Sequence, residues 1–317
     1  MNTMAIVLEK PGQIALSQLA LTPPSADDVI IDIEFSGIST GTERLLFDGS
    51  MPAFPGMGYP LVPGYESVGR VVGGGAAADA LLGQRVFVPG ARCYGEVRGL
   101  FGGAASRVVS SVSRLVPVSE DLGDRAVLLA LAATAYHAVA CGGKRQQVSA
   151  PDLIVGHGVM GRLLARMTVA AGLPAPTVWE TNPARFAGAD GYTVVRPEDD
   201  PRRDYRSVYD VSGDSSILDQ LVARCAPGGE VVLAGFYTRP LQFSFAPAFM
   251  REVQIRCAAE WQRPDLLAVK ELVENGRVSL DGLITHHQAP AQAGNAYRTA
   301  FGDAGCLKMV LDWSTCQ

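Results

Sequence analysis

The apolar positions of this chain fall into two successive patterns. Through about residue 120 they form short runs, at 29–35, 67–72, 85–89 and 106–109, separated by Gly, Pro and Ser. Short strands cut by turn residues predict a compact barrel. From about 123 to 256 the runs alternate with helical stretches. Segments 153–155, 177–180, 192–195, 207–211 and 230–234 read as strands, with 252–256 as the last. That alternation predicts a parallel sheet covered on both faces, because parallel strands are joined by crossovers that lay helices on the sheet. Farther on, 266–275 is helical and ends at Gly276, a C-cap residue. Segment 307–313 is again a strand and is expected to return to the first domain. The expected organisation is an α/β chain: a barrel at 1–122, completed by 257–317, and a doubly wound nucleotide-binding sheet at 123–256.

The junction after strand 153–155 carries the sharpest chemistry. It reads Gly156-His157-Gly158-Val159-Met160-Gly161 and runs into a helical stretch at 162–171. In such a turn the first glycine makes the bend, the second lets a pyrophosphate approach the backbone, and the third lets helix pack on strand. The helix N-terminus offers free N–H groups and partial positive charge to the anion. Strand 177–180 ends in Glu180, about 20 residues past the turn, where an acid hydrogen-bonds the ribose hydroxyls and repels a 2′-phosphate. NAD is therefore the expected cofactor. Gly235 ends a sheet strand on the cofactor side. His157 has two roles open to it, a cofactor contact or a solvent-facing ring. Asp210, at a strand end, is expected to make a structural hydrogen bond.

Composition narrows the setting. The chain has 317 residues, a formal net charge of −5 and 48% hydrophobic residues, enough for two domains with separate cores. Mild negative charge without a basic run argues against a nucleic-acid partner. Six cysteines (Cys93, Cys141, Cys225, Cys257, Cys306, Cys316) are scattered with no CxxC pair, which fits a reducing cytoplasm. The start, Met1-Asn2-Thr3-Met4, lacks a basic n-region, so no signal peptide is expected. The longest uncharged stretch, 126–143, carries Thr134, Tyr136 and His137 and reads as a buried interdomain helix rather than a bilayer crossing. Peripheral membrane contact and a homo-oligomer both remain open.

A barrel, a nucleotide fold and a return to the barrel resemble the medium-chain dehydrogenase/reductase superfamily. Pro63-Gly64-Tyr65-Glu66-Ser67-Val68-Gly69 resembles its Gly-His-Glu segment, Thr134-Ala135-Tyr136-His137-Ala138 its interdomain helix, and Tyr209-Asp210-Val211-Ser212-Gly213 the end of its fourth sheet strand. Leu283-Ile284-Thr285-His286 and Leu307-Lys308-Met309-Val310-Leu311 resemble its C-terminal return. The resemblance implies a GroES-like barrel catalytic domain and a Rossmann domain. It also gives Lys308 the place of a basic residue that faces the pyrophosphate, with a solvated surface lysine as the alternative. Ser36-Gly37-Ile38-Ser39-Thr40-Gly41-Thr42-Glu43-Arg44 and the following 51–60 segment resemble a narrower family, the dehydrogenases of bacteriochlorophyll precursors. That resemblance implies oxidation of the 3-(1-hydroxyethyl) group of a tetrapyrrole to 3-acetyl.

Zinc-dependent members of the superfamily have a cysteine where this chain has Ser39, a histidine at Tyr65, and a second cysteine near Leu131-Ala132-Ala133. Hydroxyls are poor substitutes for thiolate and imidazole, and only Cys93 lies in the region of the structural zinc lobe. No metal is expected. The alcohol proton then needs another acceptor. Tyr65 is the first candidate, with Ser39 and Thr40 passing the proton outward. A phenol near pKa 10 needs a cationic neighbour or a relay to act near neutrality. His137 is the second candidate; its alternative is a packed helix histidine. The 51–60 segment offers Met51, Phe54, Met57 and Tyr59, an adaptable apolar wall for a flat macrocycle expected to rim the substrate site. Its alternative is a loop tucked into core. Arg44 has several partners open to it: a pigment propionate, Glu43 or another surface acid. His286 and His287 are expected to be structural. Competing functions are a zinc-independent quinone or enone reductase, a polyol dehydrogenase, and a non-catalytic pigment carrier.

Overall fold

The computed structural model describes residues 1–140 and 149–316, so Cys141 and the end of the 126–143 stretch lie outside the described residues. The chain divides into two compact units, Met1–Ala130 with Asp281–Gln317, and Leu131–Leu280.

The first unit is built on strand Asp28–Ile38, whose alternate residues Val29, Ile31 and Ile33 are fully buried. Period-two burial is what a strand with one face on a core requires. It pairs with Ser67–Gly74 and Arg107–Ser111 in a seven-stranded sheet. The crossing with Ser67–Gly74 is close: a Cβ on Gly69 would stand 2.1 Å from the Asp32 carbonyl oxygen. The C-terminal strand Met309–Asp312 runs antiparallel along the same strand, with Met309 opposite Ile38 and Asp312 opposite Phe35. The expected return is thus made, and Met309, Leu311 and Trp313 join Ile6, Val29 and Ile31 in one core. A second, four-stranded sheet contains Gln13–Ala20, Asn2–Lys10, Leu61–Val62 and Arg98–Gly99.

The second unit holds six parallel strands in the order Thr193–Val195, Thr177–Trp179, Leu153–Val155, Tyr205–Asp210, Cys225–Leu233, Gln254–Cys257. In chain order this is 3-2-1-4-5-6. The direction of winding reverses between Leu153–Val155 and Tyr205–Asp210, and ligands of doubly wound sheets bind at that reversal. Leu153, Ile154, Val208, Tyr209, Val231 and Val232 are fully buried, as strands covered on both faces must be.

The division differs from the expected one at both borders. Helix Arg263–Glu274 belongs to the second unit, not to the barrel, because Leu266, Val269 and Val273 are buried and Asp265 bonds His137 on helix Leu129–Ala140. Segment Glu120–Leu128 belongs to the first unit, where Arg125 bonds Asp281. Helix Val159–Ala170 begins three residues earlier than the helical stretch expected at 162–171, directly after Gly158. Among the described residues no helix is long and apolar enough to cross a membrane.

Candidate active site

Strand Asp28–Ile38 delivers Ser39 to the start of helix Thr42–Asp48. Ser39 is held by both poles of its backbone. Its N–H donates to Glu43 Oε1 at 3.3 Å, and its carbonyl accepts the Glu43 N–H at 3.2 Å. Ser39 Oγ then lies 2.7 Å from the Tyr65 hydroxyl, and Thr42 Oγ1 lies 3.5 Å from it. Tyr65 is set by Gly64, whose φ of +98° excludes ordinary side chains, and by an edge-on contact with Phe101 at 5.5 Å. Thr42 rather than Thr40 reaches the phenol. One helical turn carries residue 42 back beside residue 39, while Thr40 faces solvent.

Behind the hydroxyls sits a buried charged layer. Glu43 is fully buried and accepts the Tyr297 hydroxyl at 2.7 Å. Burial pushes its pKa up to about 7, with the charge of Glu66 adding and the Tyr297 hydrogen bond opposing. Lys308 Nζ donates to Glu66 Oε2 at 2.6 Å and to the Ile38 carbonyl at 3.1 Å. Both partners are buried, so the surface alternative for Lys308 does not hold, and its ammonium is engaged by Glu66. Burial raises the Glu66 pKa, and Lys308 opposes the rise. Glu66 Oε1 has no hydrogen-bond partner. Burial also pushes the Tyr65 phenol well above its ordinary value, with Glu66 adding to the effect and the Ser39 hydrogen bond opposing it. The Lys308 ammonium is committed to Glu66, so Tyr65 is suited to relay a proton as a neutral phenol rather than to hold a phenolate.

Arg44 is exposed, and Glu43 turns inward to Tyr297, so of the partners open to Arg44 the Glu43 alternative is not made. In the 51–60 segment, Met51, Met57 and Tyr59 pack on Leu8, Leu46, Leu61 and Leu100, and the Tyr59 hydroxyl donates to the Leu46 carbonyl. Only Phe54 of the four apolar residues stands exposed. The four do not form one free wall; three of them serve a small core.

Ser39, Tyr65, Ala132 and Ala133 supply no thiolate or imidazole, so they do not make a zinc donor set. Among the described residues no three His, Cys, Asp or Glu side chains gather as metal ligands. Cys93 is a barrel core residue whose Sγ accepts the Val109 N–H at 3.4 Å.

In the second unit the glycine turn has the shape a dinucleotide needs. Gly156 has φ +105°. A Cβ on Gly161 would fall 1.8 Å from the Gly156 carbonyl oxygen, so only glycine lets helix and strand approach this closely. A Cβ on Gly158 would meet nothing within 4 Å, leaving open space at the helix start. No side chain caps that start, so the amides following Gly158, through Val159 and Met160, have no capping oxygen. Glu180 is buried just past strand Thr177–Trp179. Its Oε2 accepts the His157 N–H at 3.0 Å, and its Oε1 accepts those of Thr181 and Asn182 at 2.8 Å each. Gly235 donates its N–H to the Asp210 carbonyl. Asp210 accepts the Tyr237 hydroxyl at 2.7 Å, the structural bond expected of it.

The His157 ring does not face solvent. It is fully buried, 2.5 Å from the Arg185 carbonyl and 2.8 Å from the Tyr192 hydroxyl. His137 is buried with Nδ1 2.7 Å from Asp265 Oδ2, which also accepts the Gln262 N–H at the start of helix Arg263–Glu274. His286 contacts Thr285, and His287 contacts Asp124 at 2.6 Å. Sequence reasoning did not single out Thr42, Glu43 and Tyr297 as a group. The available signal was the three-residue spacing of Glu43 and Leu46, which puts an acid on the inward face of a short helix.

The alcohol dehydrogenase GroES-like domain matches residues 25–120. The chain is 54% identical to the 2-desacetyl-2-hydroxyethyl bacteriochlorophyllide A dehydrogenase of Rhodobacter capsulatus, over 99% of each chain. It is 52% identical to the protein of the same name from Cereibacter sphaeroides, again over 99% of each. Among solved structures, an alcohol dehydrogenase from Escherichia coli CFT073 complexed with NADH superposes with a TM-score of 0.81 at 21% identity, over 98% of this chain and 99% of that one.

Proposed function

Because the chain belongs to the bacteriochlorophyllide A dehydrogenase family of the medium-chain dehydrogenase/reductase superfamily, we propose that it oxidises the 3-(1-hydroxyethyl) group of a bacteriochlorophyllide or chlorophyllide to 3-acetyl in bacteriochlorophyll synthesis, with NAD and without zinc. The observation that carries the zinc-free reading is the 2.7 Å contact between Ser39 and Tyr65 hydroxyls at the positions where zinc-dependent relatives have cysteine and histidine.

NAD, when bound, supplies the acceptor for the hydride that leaves the carbinol carbon. Gly156, Gly158 and Gly161 give its pyrophosphate room, with the amides of Val159 and Met160 as donors. Glu180 favours a 2′-hydroxyl over a 2′-phosphate by charge. Tyr65 hydrogen-bonds the carbinol oxygen as a neutral phenol. As hydride departs, the carbinol proton passes to the Tyr65 oxygen while the phenolic proton moves on to Ser39 Oγ or Thr42 Oγ1, each of which hands a proton on to water as it takes one, so no phenolate forms. The conjugated macrocycle eases this step, because positive charge at the carbinol carbon spreads into the ring as hydride departs. Phe54 offers a flat apolar contact for the ring, and the exposed Arg44 offers a guanidinium for a propionate. The barrel return places Lys308 with Glu66, and no cofactor contact is assigned to it.

The test is conversion of 3-(1-hydroxyethyl) bacteriochlorophyllide a by chelator-treated protein, followed by pigment absorbance and NADH fluorescence. The expected result is an acetyl product formed with NAD⁺ and no added metal. Tyr65→Phe should lower kcat by roughly 100-fold and leave NAD affinity intact. A requirement for added zinc would sink the metal-free reading. Conversion with NADP⁺ alone would sink the role given to Glu180. A pigment spectrum that shifts on binding but never converts would identify a carrier.

A further inference from the structure

Beside the glycine turn lies a ring of buried hydrogen bonds that the cofactor reading leaves unused. Arg162 follows Gly161 in the first turns of helix Val159–Ala170 and is 4% exposed. Its Nε donates to the His157 carbonyl at 3.0 Å. Its Nη2 donates to the Arg185 carbonyl at 3.1 Å and the Ala187 carbonyl at 2.8 Å. All three acceptors are main-chain oxygens. A guanidinium reaches them with its planar fork of donors; an ammonium, a point charge on a flexible stem, does not. Gly188, at φ +86°, lies under the same group: a Cβ there would stand 2.3 Å from Arg162 Nη1.

His157 closes the ring. A carbonyl only accepts, so the 2.5 Å contact with the Arg185 oxygen assigns the ring proton to Nδ1. Nε2 then has a lone pair and accepts the Tyr192 hydroxyl at 2.8 Å. Burial lowers the His157 pKa to about 4, in keeping with this neutral tautomer. The main-chain N–H of the same residue donates to Glu180 Oε2 at 3.0 Å. Segment 180–188 is therefore fastened to the glycine turn at both ends. Glu180 holds its start, and the carbonyls of Arg185 and Ala187 hold its far end.

We propose that Arg162 and His157 are positioning residues for cofactor selection, which lock segment 180–188 against the glycine turn so that the Glu180 carboxylate cannot swing away from a 2′-phosphate. The inference rests on the NAD reading above and deepens it. A carboxylate on a loose loop can retreat from a second anion and lose little. One held by three amides, on a loop tied down at its far end, must meet that anion at close range or break the ring. The lock also keeps Arg162 on carbonyl oxygens and so withholds a cation that a 2′-phosphate would otherwise recruit. Discrimination against NADP thereby depends on residues 157 and 162 as well as on Glu180.

The test is the ratio of NADPH to NADH dissociation constants, read by fluorescence titration of the full-length protein. Wild type, Glu180→Gln, Arg162→Lys, His157→Asn and Tyr192→Phe are compared. Wild type should favour NADH strongly, and Glu180→Gln should erase most of that preference. Arg162→Lys keeps the positive charge but loses the fork, and should cut the ratio at least tenfold. His157→Asn should do the same, and Tyr192→Phe should cut it severalfold. A merely structural role would lower the melting temperature and leave the ratio alone. Unchanged ratios in the folded variants, with Glu180→Gln still losing its preference, would overturn the lock and leave the NAD reading standing. Should Arg162→Lys fail to fold, an unchanged ratio in Tyr192→Phe and His157→Asn overturns it equally. Absence of any NADH preference in wild type would instead overturn the NAD reading itself.

Discussion

Glu43 illustrates how far a single side chain depends on where the fold puts it. In the sequence only its three-residue spacing from Leu46 sets it apart from the neighbouring Arg44. In the structure it is fully buried between Tyr297 and the Ser39 amide, with Glu66 and Lys308 as its charged neighbours. Its pKa rises from 4.5 to about 7. Between those values the native state keeps a proton that the unfolded chain has released, so stability falls as pH rises through that window. Glu43→Gln preserves the shape and removes the titration. From pH 4.5 to 7 the wild type should lose up to roughly 3 kcal/mol relative to this variant, read by denaturant unfolding at a series of pH values. Parallel profiles would mean that Glu43 titrates as an ordinary carboxyl. His157 has the opposite sign, because its pKa is lowered from 6.5 to about 4 and its contribution is lost as pH falls through that range. It is common to both proteins and cancels in the comparison. Tyr65 was legible as a position, since the motif around it is contiguous. Its acidity was not, because burial beside Glu66 sets it.

At the level of elements, the glycine turn and the 51–60 segment show the two extremes of legibility. The turn is local chemistry: Gly156 and Gly161 answer constraints from atoms a few residues away, so spacing alone exposes them. The partners that lock it, Arg185 and Tyr192, come from beyond the next strand and leave no periodic trace. The 51–60 segment reads by composition as one apolar surface, yet composition does not say which way each side chain turns. Met51, Met57 and Tyr59 turn onto a cluster around Leu46 and Leu61, and Phe54 turns out. Phe54→Ala should therefore raise KM for pigment severalfold with little change in melting temperature. Met57→Ala should cost about 1–2 kcal/mol of stability with KM nearly unchanged. Steady-state kinetics and thermal unfolding of the two variants check this; the reverse assignment would mean that Met57, not Phe54, meets the substrate.

Across the whole molecule, the first unit depends on both ends of the chain. Met309–Asp312 pairs with Asp28–Ile38, and Lys308, just ahead of that return strand, neutralises Glu66 from some 240 residues away in sequence. Glu66 already has one oxygen without a partner. Lys308→Met would leave a buried carboxylate with no counter-charge, a change expected to cost about 3–5 kcal/mol. Adding Glu66→Leu should recover most of that loss, since a pair replaced by apolar groups leaves no stranded charge. Denaturant unfolding of the single and double variants reads the coupling, and additive losses would contradict it.

The sequence by itself determined the strand–helix alternation, the return of the tail to the barrel, and the glycine turn with its following acid. Each is written in residues close together or in a regular period. Only the tertiary structure decided that Thr42 rather than Thr40 joins Tyr65, that Lys308 is buried on Glu66, that His157 is walled in, and that helix Arg263–Glu274 belongs with the second unit. These depend on which distant segments meet. Burial and long-range pairing set charge, orientation and partner there, and no local pattern records them.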